Sequence, residues 1–206
     1  MTSTCDHYAF DAQVRTEHGI FCGVDEAGRG PLCGPVCCAA VILNPDDPIE
    51  GIDDSKKLSE KKREALYDVI CARALAWNVV LVGPDVIDRD NILNATMSGM
   101  RQAVEGLDIV PNFVLVDGNR CPTGLTMPCG SQVKGDGVSA SIGAASILAK
   151  VSRDRVMREM DAVYPGYGFA VHKGYGTAAH IEALHRLGPC PIHRPGFLTK
   201  ILGETR

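Results

Sequence analysis

The chain has 206 residues, 45% of them hydrophobic and 22% charged, with a net charge of −4. That is an ordinary globular composition, long enough to bury a sizeable core as one domain. No apolar run approaches the roughly 18 residues that span a bilayer, and MTSTCDHYAFDAQVRTEHGI has no basic start followed by an apolar block, so no membrane association and no secretory leader are expected and the expected location is cytoplasmic.

Residues 1–18 are polar and are read as a flexible N-terminal segment, loose at least at their start. FCGVDEAG is a first strand ending at the acidic pair Asp25–Glu26, and PVCCAAVIL, 35–43, is a second strand apolar enough to be buried on both faces. NPDDPIEGIDD is a loop. Ser59 then offers an N-cap, with Glu60 at the positive end of a helix running to about Ala76 on a stripe of Leu66, Ile70 and Ala74. WNVVLVG, 77–83, is a third strand, and 84–107 reads as two short helices, 85–90 and 92–105. PNFVLVDGNR supplies a fourth strand, 113–117, ending at Asp117, and SQVKGDG a short fifth strand ending near Asp136. A long helix over 139–162, capped by Ser139, begins with small residues that permit close packing on a sheet. A glycine and aromatic loop, GYGFAVHKGYGTAAH, leads to a last helix, 177–187, and a proline-rich tail. Early strands joined by short loops should pair antiparallel and later ones, joined by helices, parallel. The expected class is α/β with a mixed sheet.

The nine cysteines follow no CxxC spacing, and several lie in apolar runs such as VCCAAVIL. They read as reduced thiols, Cys22, Cys37 and Cys38 as small core residues, and their spacings do not suggest structural zinc.

Four acids, Asp25, Glu26, Asp117 and Asp136, fall at or just past strand ends, where sites form in open α/β sheets. Carboxylates gathered there repel one another unless a cation sits among them, and all-oxygen ligands suit Mg²⁺ or Mn²⁺. Each acid alone reads equally as a turn or cap residue, and strand neighbours such as Asp25 and Glu26 point to opposite faces. The turn GRGPLCG lacks the spacing and following helix of a dinucleotide fingerprint. Its glycines serve either a tight loop or a close backbone approach to a sugar-phosphate. The acidic balance disfavours a uniformly basic nucleic-acid binder. Local positive stripes remain open in KKLSEKKR, 56–63, and KVSRDRVMR, 150–158.

GVDEAGRGP, DSKKLSEKKR, LVDGNRCP, KGDG, AASILAKVSRDR and GFAVHKGYGT, in that order over roughly residues 20–187, resemble the type 2 ribonuclease H (ribonuclease HII) family. The GRG form of the turn favours this type over the related type 3 enzymes. The resemblance implies an RNase H-like fold, a mixed five-stranded sheet flanked by helices with a C-terminal helical segment. It implies a catalytic domain over 19–165, with 166–206 packed on it as loop, helix and tail. It implies an endonuclease that cleaves the RNA strand of RNA–DNA hybrids and nicks duplex DNA 5′ of embedded ribonucleotides, leaving 3′-hydroxyl and 5′-phosphate ends, with Mg²⁺ or Mn²⁺ as cofactor. Carried over, Asp25, Glu26, Asp117 and Asp136 are the metal-binding catalytic carboxylates. Gly28, Arg29 and Gly30 sense the 2′-hydroxyl, and Tyr175 stacks beside the sugar, although Tyr175 between two glycines also reads as a loop pin. Ser55, Lys56, Lys57, Lys61, Arg63, Asn119 and Arg120 are candidate phosphate contacts, with a solvated helix face the alternative for Lys61 and Lys62.

KGDGVSAS is a glycine-rich variant around Asp136. Asp154 reads as a salt-bridging residue between Lys150 and Arg158, and His172 as a possible proton shuttle. The tail carries no clear sliding-clamp peptide, so no protein partner is inferred and a monomer is expected. A DNA-only nuclease, a non-catalytic binding module and a nucleotide-binding oxidoreductase are the rival readings.

Overall fold

Five strands form one sheet in the computed structural model, which describes residues 4–203. β1 (Phe21–Ala27) lies at its centre, antiparallel to β2 (Val36–Ile42) and parallel to β4 (Phe113–Asp117). β3 (Ala76–Val82) pairs antiparallel outside β2, and β5 (Cys129–Gln132) parallel outside β4, giving the order β3-β2-β1-β4-β5. The sheet is mixed as expected, but not through the connections expected: β2 and β3 pair antiparallel although the helix Glu60–Arg73 joins them, and β4 and β5 pair parallel with no helix between them.

Every residue of β2 is buried, since each face meets a helix. Cys37, Ala39 and Val41 pack toward α4 (Ala140–Val163), and Cys38, Ala40 and Ile42 toward α3 (Pro84–Glu105). The Ser139 hydroxyl caps α4 by accepting from Ile142 N–H. The small residues of its first turns let it lie so close to β1 that a Cβ on Gly23 would come within 2.2 Å of the Ser141 main chain. α2 (Glu60–Arg73) packs beside α4 and is capped by Ser59 as expected. It ends sooner than Ala76 because Ala74 is already extended. α3 breaks at Asn91 (φ 65°), at the boundary between the two helices read from sequence. The Asn91 side chain accepts from Leu93 and Asn94 N–H and so caps the second half.

Three expectations require correction. The segment read as flexible forms α1 (Thr4–His18), with residues 1–3 outside the described part. Its polar composition concealed one docking residue. Buried Asp11 accepts from Ser139 Oγ at 2.6 Å and from Ser141 N and Oγ at 2.9 and 2.7 Å, while Val14 packs on Phe21 and Phe113. The fifth strand stops at Gln132, because Lys134 turns to positive φ and Asp136 falls on a 3-10 turn, Gly135–Gly137. The C-terminal region holds more helix than expected: α5 (Phe169–His172) lies within the aromatic loop, and α7 (Pro195–Leu202) follows α6 (Ala178–Leu187). Proline at the first position of α7 starts a helix that buries Leu198 against Tyr167, Phe169 and Leu184. Among the described residues no helix is long and apolar enough to cross a membrane, and the described cysteines are free thiols.

Candidate active site

Parallel pairing sets Val24 opposite Val116, so the next residues, Asp25 and Asp117, come side by side on adjacent strands. Asp25 lies on the α4 face beside Ser146, whose hydroxyl favours its charged form, and its Oδ1 accepts from Glu26 N–H at 2.7 Å. Ser146 Oγ is also 2.9 Å from Ser55 Oγ. Glu26 turns to the other face and lines a cavity of about 260 Å³ with Arg29, Met97, Asp117, Asn119 and Arg120. Asp117 Oδ1 accepts from Gly135 N–H at 2.6 Å, which ties the end of β4 to the turn carrying Asp136. Asp136 is buried, with Lys56 Nζ 3.8 Å from its Oδ2. Thus the four carboxylates read from sequence come from β1, β4 and one turn to a common end of the sheet.

Their electrostatics are those of an under-neutralised acidic cluster. Burial, then the charges of Glu26 and Asp117, push the Asp25 carboxyl well above the usual carboxylate range. Burial also raises Glu26, against the opposing pull of Arg29, whose Nη1 is 3.4 Å away. Asp136 is pushed up to about 6 by burial and by the charges of Asp117 and Asp54, with Lys56 opposing. Protons compete for these oxygens because too few positive charges face them. An all-oxygen donor set in that condition suits a hard divalent cation.

Beside the cluster the glycine turn is held from behind by two buried arginines, neither of which was read from sequence as part of the site. Arg194 donates to the carbonyls of Gly28, Arg29, Pro31 and Gly34 at 2.7–3.1 Å. Arg153 donates to those of Cys33, Pro35 and Lys173 at 3.0–3.1 Å. With these carbonyls drawn inward, the turn is fixed by its oxygens and Arg29 lies exposed on its outer side. Gly28 has φ +96°, and a Cβ there would stand 2.1 Å from Arg153 Nε, so no other residue fits. Gly30 is different: among the described residues its one near neighbour is the Tyr175 ring, 3.9 Å from where a Cβ would be.

Tyr175 is 45% exposed. Its loop is pinned through main chain, its carbonyl meeting His180 Nδ1 at 3.0 Å, so the ring itself is left facing the turn.

The basic candidates divide. Lys56, Asn119 and Arg120 stand exposed around the carboxylates. Lys57 pairs with Asp53 at 3.0 Å instead. Ser55 is buried against Ser146, and Arg63 donates to the Ser55 carbonyl at 2.9 Å, so both build the loop and neither faces a ligand. Asp154 pairs with Lys150 at 2.7 Å as expected, but Arg158 turns to Glu60 and Glu64. His172 has both ring nitrogens bonded to main chain, Nε2 donating to the Tyr167 carbonyl at 2.8 Å and Nδ1 accepting from Gly174 N–H at 3.2 Å, so it ties its own loop together.

Comparison with known proteins agrees with this fold. The family model described as Ribonuclease HII matches residues 22–200. A ribonuclease HII from Burkholderia vietnamiensis (strain G4 / LMG 22486) is 59% identical over 178 residues, covering 86% of this chain and 82% of that protein. The crystal structure of ribonuclease H2 from Pyrococcus horikoshii OT3 superposes with a TM-score of 0.74 at 28% identity, over 88% of this chain and 96% of the other. The RNase HII of a PCNA:RNase HII complex from Archaeoglobus fulgidus shares the fold, with a TM-score of 0.69 at 24% identity over 85% and 93% of the two chains.

Proposed function

The chain belongs to the ribonuclease HII family and is an endoribonuclease, and on that premise we propose that it hydrolyses the RNA strand of RNA–DNA hybrids and nicks duplex DNA 5′ of embedded ribonucleotides, leaving 3′-hydroxyl and 5′-phosphate ends. The observation that carries this reading is the placement of Asp25, Glu26 and Asp117 beside a glycine turn whose carbonyls are drawn away by Arg194 and Arg153.

Asp25, Glu26 and Asp117 would hold divalent ions, Mg²⁺ or Mn²⁺, with Asp136 as the fourth carboxylate. Bound there, such ions supply an activated water and neutralise charge on the departing oxygen in an in-line displacement. The chain's own residues do the rest. The Glu26 amide holds Asp25, and the Gly135 amide holds Asp117. The 2′-hydroxyl separates RNA from DNA, and Gly28-Arg29-Gly30 brings main chain close enough to meet it. Tyr175, beside Gly30, offers a flat face to the sugar at the RNA–DNA step. Lys56, Asn119 and Arg120 are placed for phosphate contacts, which set register and carry no sequence information.

The test is incision of an end-labelled duplex carrying one ribonucleotide, with Mg²⁺, Mn²⁺ or chelator, beside an all-DNA duplex and a continuous hybrid. A cut on the 5′ side of the ribonucleotide that requires the divalent ion is expected, with no cut in the all-DNA duplex. Equal cutting of both duplexes contradicts the substrate assignment.

A further inference from the structure

Away from the carboxylates, three buried side chains from three segments converge behind the glycine turn. Cys33 follows the turn, His180 lies on α6 and His193 precedes α7. Cys33 and His193 form an isolated antiparallel bridge. A sulfur or nitrogen atom from each of the three lies within 4.8 Å of the other two. We propose that Cys33, His180 and His193 form a second metal site, distinct from the catalytic one, that takes a single borderline-soft cation of the zinc class.

Geometry, outer contacts and access each bear on this. His180 Nε2 and His193 Nε2 face each other at 3.1 Å. Two nitrogens bonded to one tetrahedral zinc at about 2.0–2.1 Å would be separated by about 3.4 Å, so a small relaxation is enough. A thiolate with two imidazoles is a ligand set zinc favours, with the fourth position left to water. Zinc-bound imidazoles commonly donate their other N–H to a carbonyl. His180 Nδ1 has the Tyr175 carbonyl at 3.0 Å, and His193 Nδ1 has the Cys190 carbonyl at 3.2 Å. An apolar cavity of about 530 Å³ between Pro189 and α7 has His193 in its wall and gives a path inward.

Without metal the hydrogen bonds also close. Cys190 N–H donates to His193 Nδ1 at 2.9 Å, which puts the His193 proton on Nε2, pointing at His180. Ligation therefore moves that proton to Nδ1, where the Cys190 carbonyl accepts it once Cys190 N–H has turned away from the ring and given up its bond to Nδ1, and releases the Cys33 thiol proton to solvent. Burial holds that thiol at about 12, against the lowering effect of Arg153 and then Arg194, so a cation must displace the proton. Burial also lowers His180, and lowers His193 to about 4, which keeps both rings neutral and ready as ligands. Cys190 Sγ lies 3.1 Å from Nδ1, on the far edge of the His193 ring, and is not a ligand. The bound ion would join the glycine turn, the Tyr175 loop and the approach to α7.

The test adds Co²⁺ to the metal-free full-length protein in excess Mg²⁺, which occupies the carboxylates. One equivalent should give the near-ultraviolet thiolate-to-cobalt charge-transfer band, which carboxylates cannot produce, and Zn²⁺ should bleach it. Cys33→Ala should abolish the band and Cys190→Ala should keep it. No band in the wild-type protein, a band that survives Cys33→Ala, or one lost in Cys190→Ala overturns the proposal. Zinc-edge X-ray absorption of wild-type protein in the same excess of Mg²⁺, loaded with one equivalent of Zn²⁺, needs no variant to fold. One sulfur and two imidazole nitrogens are expected, and an all-oxygen shell overturns the site.

Discussion

Asp25 and Glu26 are neighbours in the chain that point to opposite faces of β1, one under α4 beside Ser146 and one opening on the cavity beside α3. Asp117 reaches them only because β4 lies parallel to β1 in a register that matches their ends. Replacing Asp117 with Asn keeps the Gly135 contact while removing a charge, so the variant should fold normally yet lose at least about a hundredfold in incision rate, read by single-turnover cleavage. Activity near the wild-type level would remove Asp117 from the chemistry. At the turn, Gly28→Ala would combine an unfavourable φ with a clash against Arg153. It should destabilise the protein by more than about 1 kcal/mol in denaturant melts and lower discrimination between ribo- and deoxyribonucleotide duplexes. Arg194→Lys replaces a planar fork on four carbonyls with a point charge, and a loss of about 3 kcal/mol is expected. Unchanged stability would show that the turn holds itself. The acids and the glycines were legible in the sequence because their residue types and strand-end positions carry the signal. Arg153 and Arg194 were not, since an arginine inside a helix or beside a proline reads as surface charge until the carbonyls it meets are known.

The elements themselves were mostly readable, and the misses share a physical cause. Ser59, Ser139 and the break near Asn91 are local signals and fell where expected. α1 was missed because its docking depends on Asp11 meeting Ser139 and Ser141, a contact across more than a hundred residues. α7 was hidden by prolines that mark a helix start as readily as a loop. Between elements, α2 and α4 are joined by Glu64, which accepts from Arg155 at 3.1 and 2.6 Å and also pairs with Arg158. Burial alone would raise the Glu64 carboxyl, but hydrogen bonds from Arg155 and Arg158 hold it below its usual value. A carboxylate lowered by folding contributes stability that is present above its unfolded value of 4.5 and lost as the pH falls through the lower folded one. Glu64→Gln should therefore cost about 1 kcal/mol at neutral pH and nothing below that window, measured as the difference in melting temperature from wild type at each pH. A difference that persists in strong acid would mean that packing, not charge, joins the two helices.

For the whole molecule, burial of an acidic cluster is a cost to the fold that a bound divalent ion offsets. Ions that bind the native state alone stabilise it by about 2.7 kcal/mol at a hundredfold excess over Kd, which is several degrees for a chain of this size. Mg²⁺ should raise the melting temperature of the wild-type protein and raise that of Asp117→Asn much less; equal shifts would place the ion elsewhere. The architecture carries the sequence's own logic to this point. A central strand between an antiparallel and a parallel neighbour brings the acidic ends together, and the C-terminal helices close over the turn beside them. The most direct test of that convergence is anomalous diffraction at the manganese edge from crystals of the full chain soaked in Mn²⁺. Peaks coordinated by Asp25, Glu26, Asp117 and Asp136 are expected. Manganese bound only at other places, with none among these four side chains, would contradict the account.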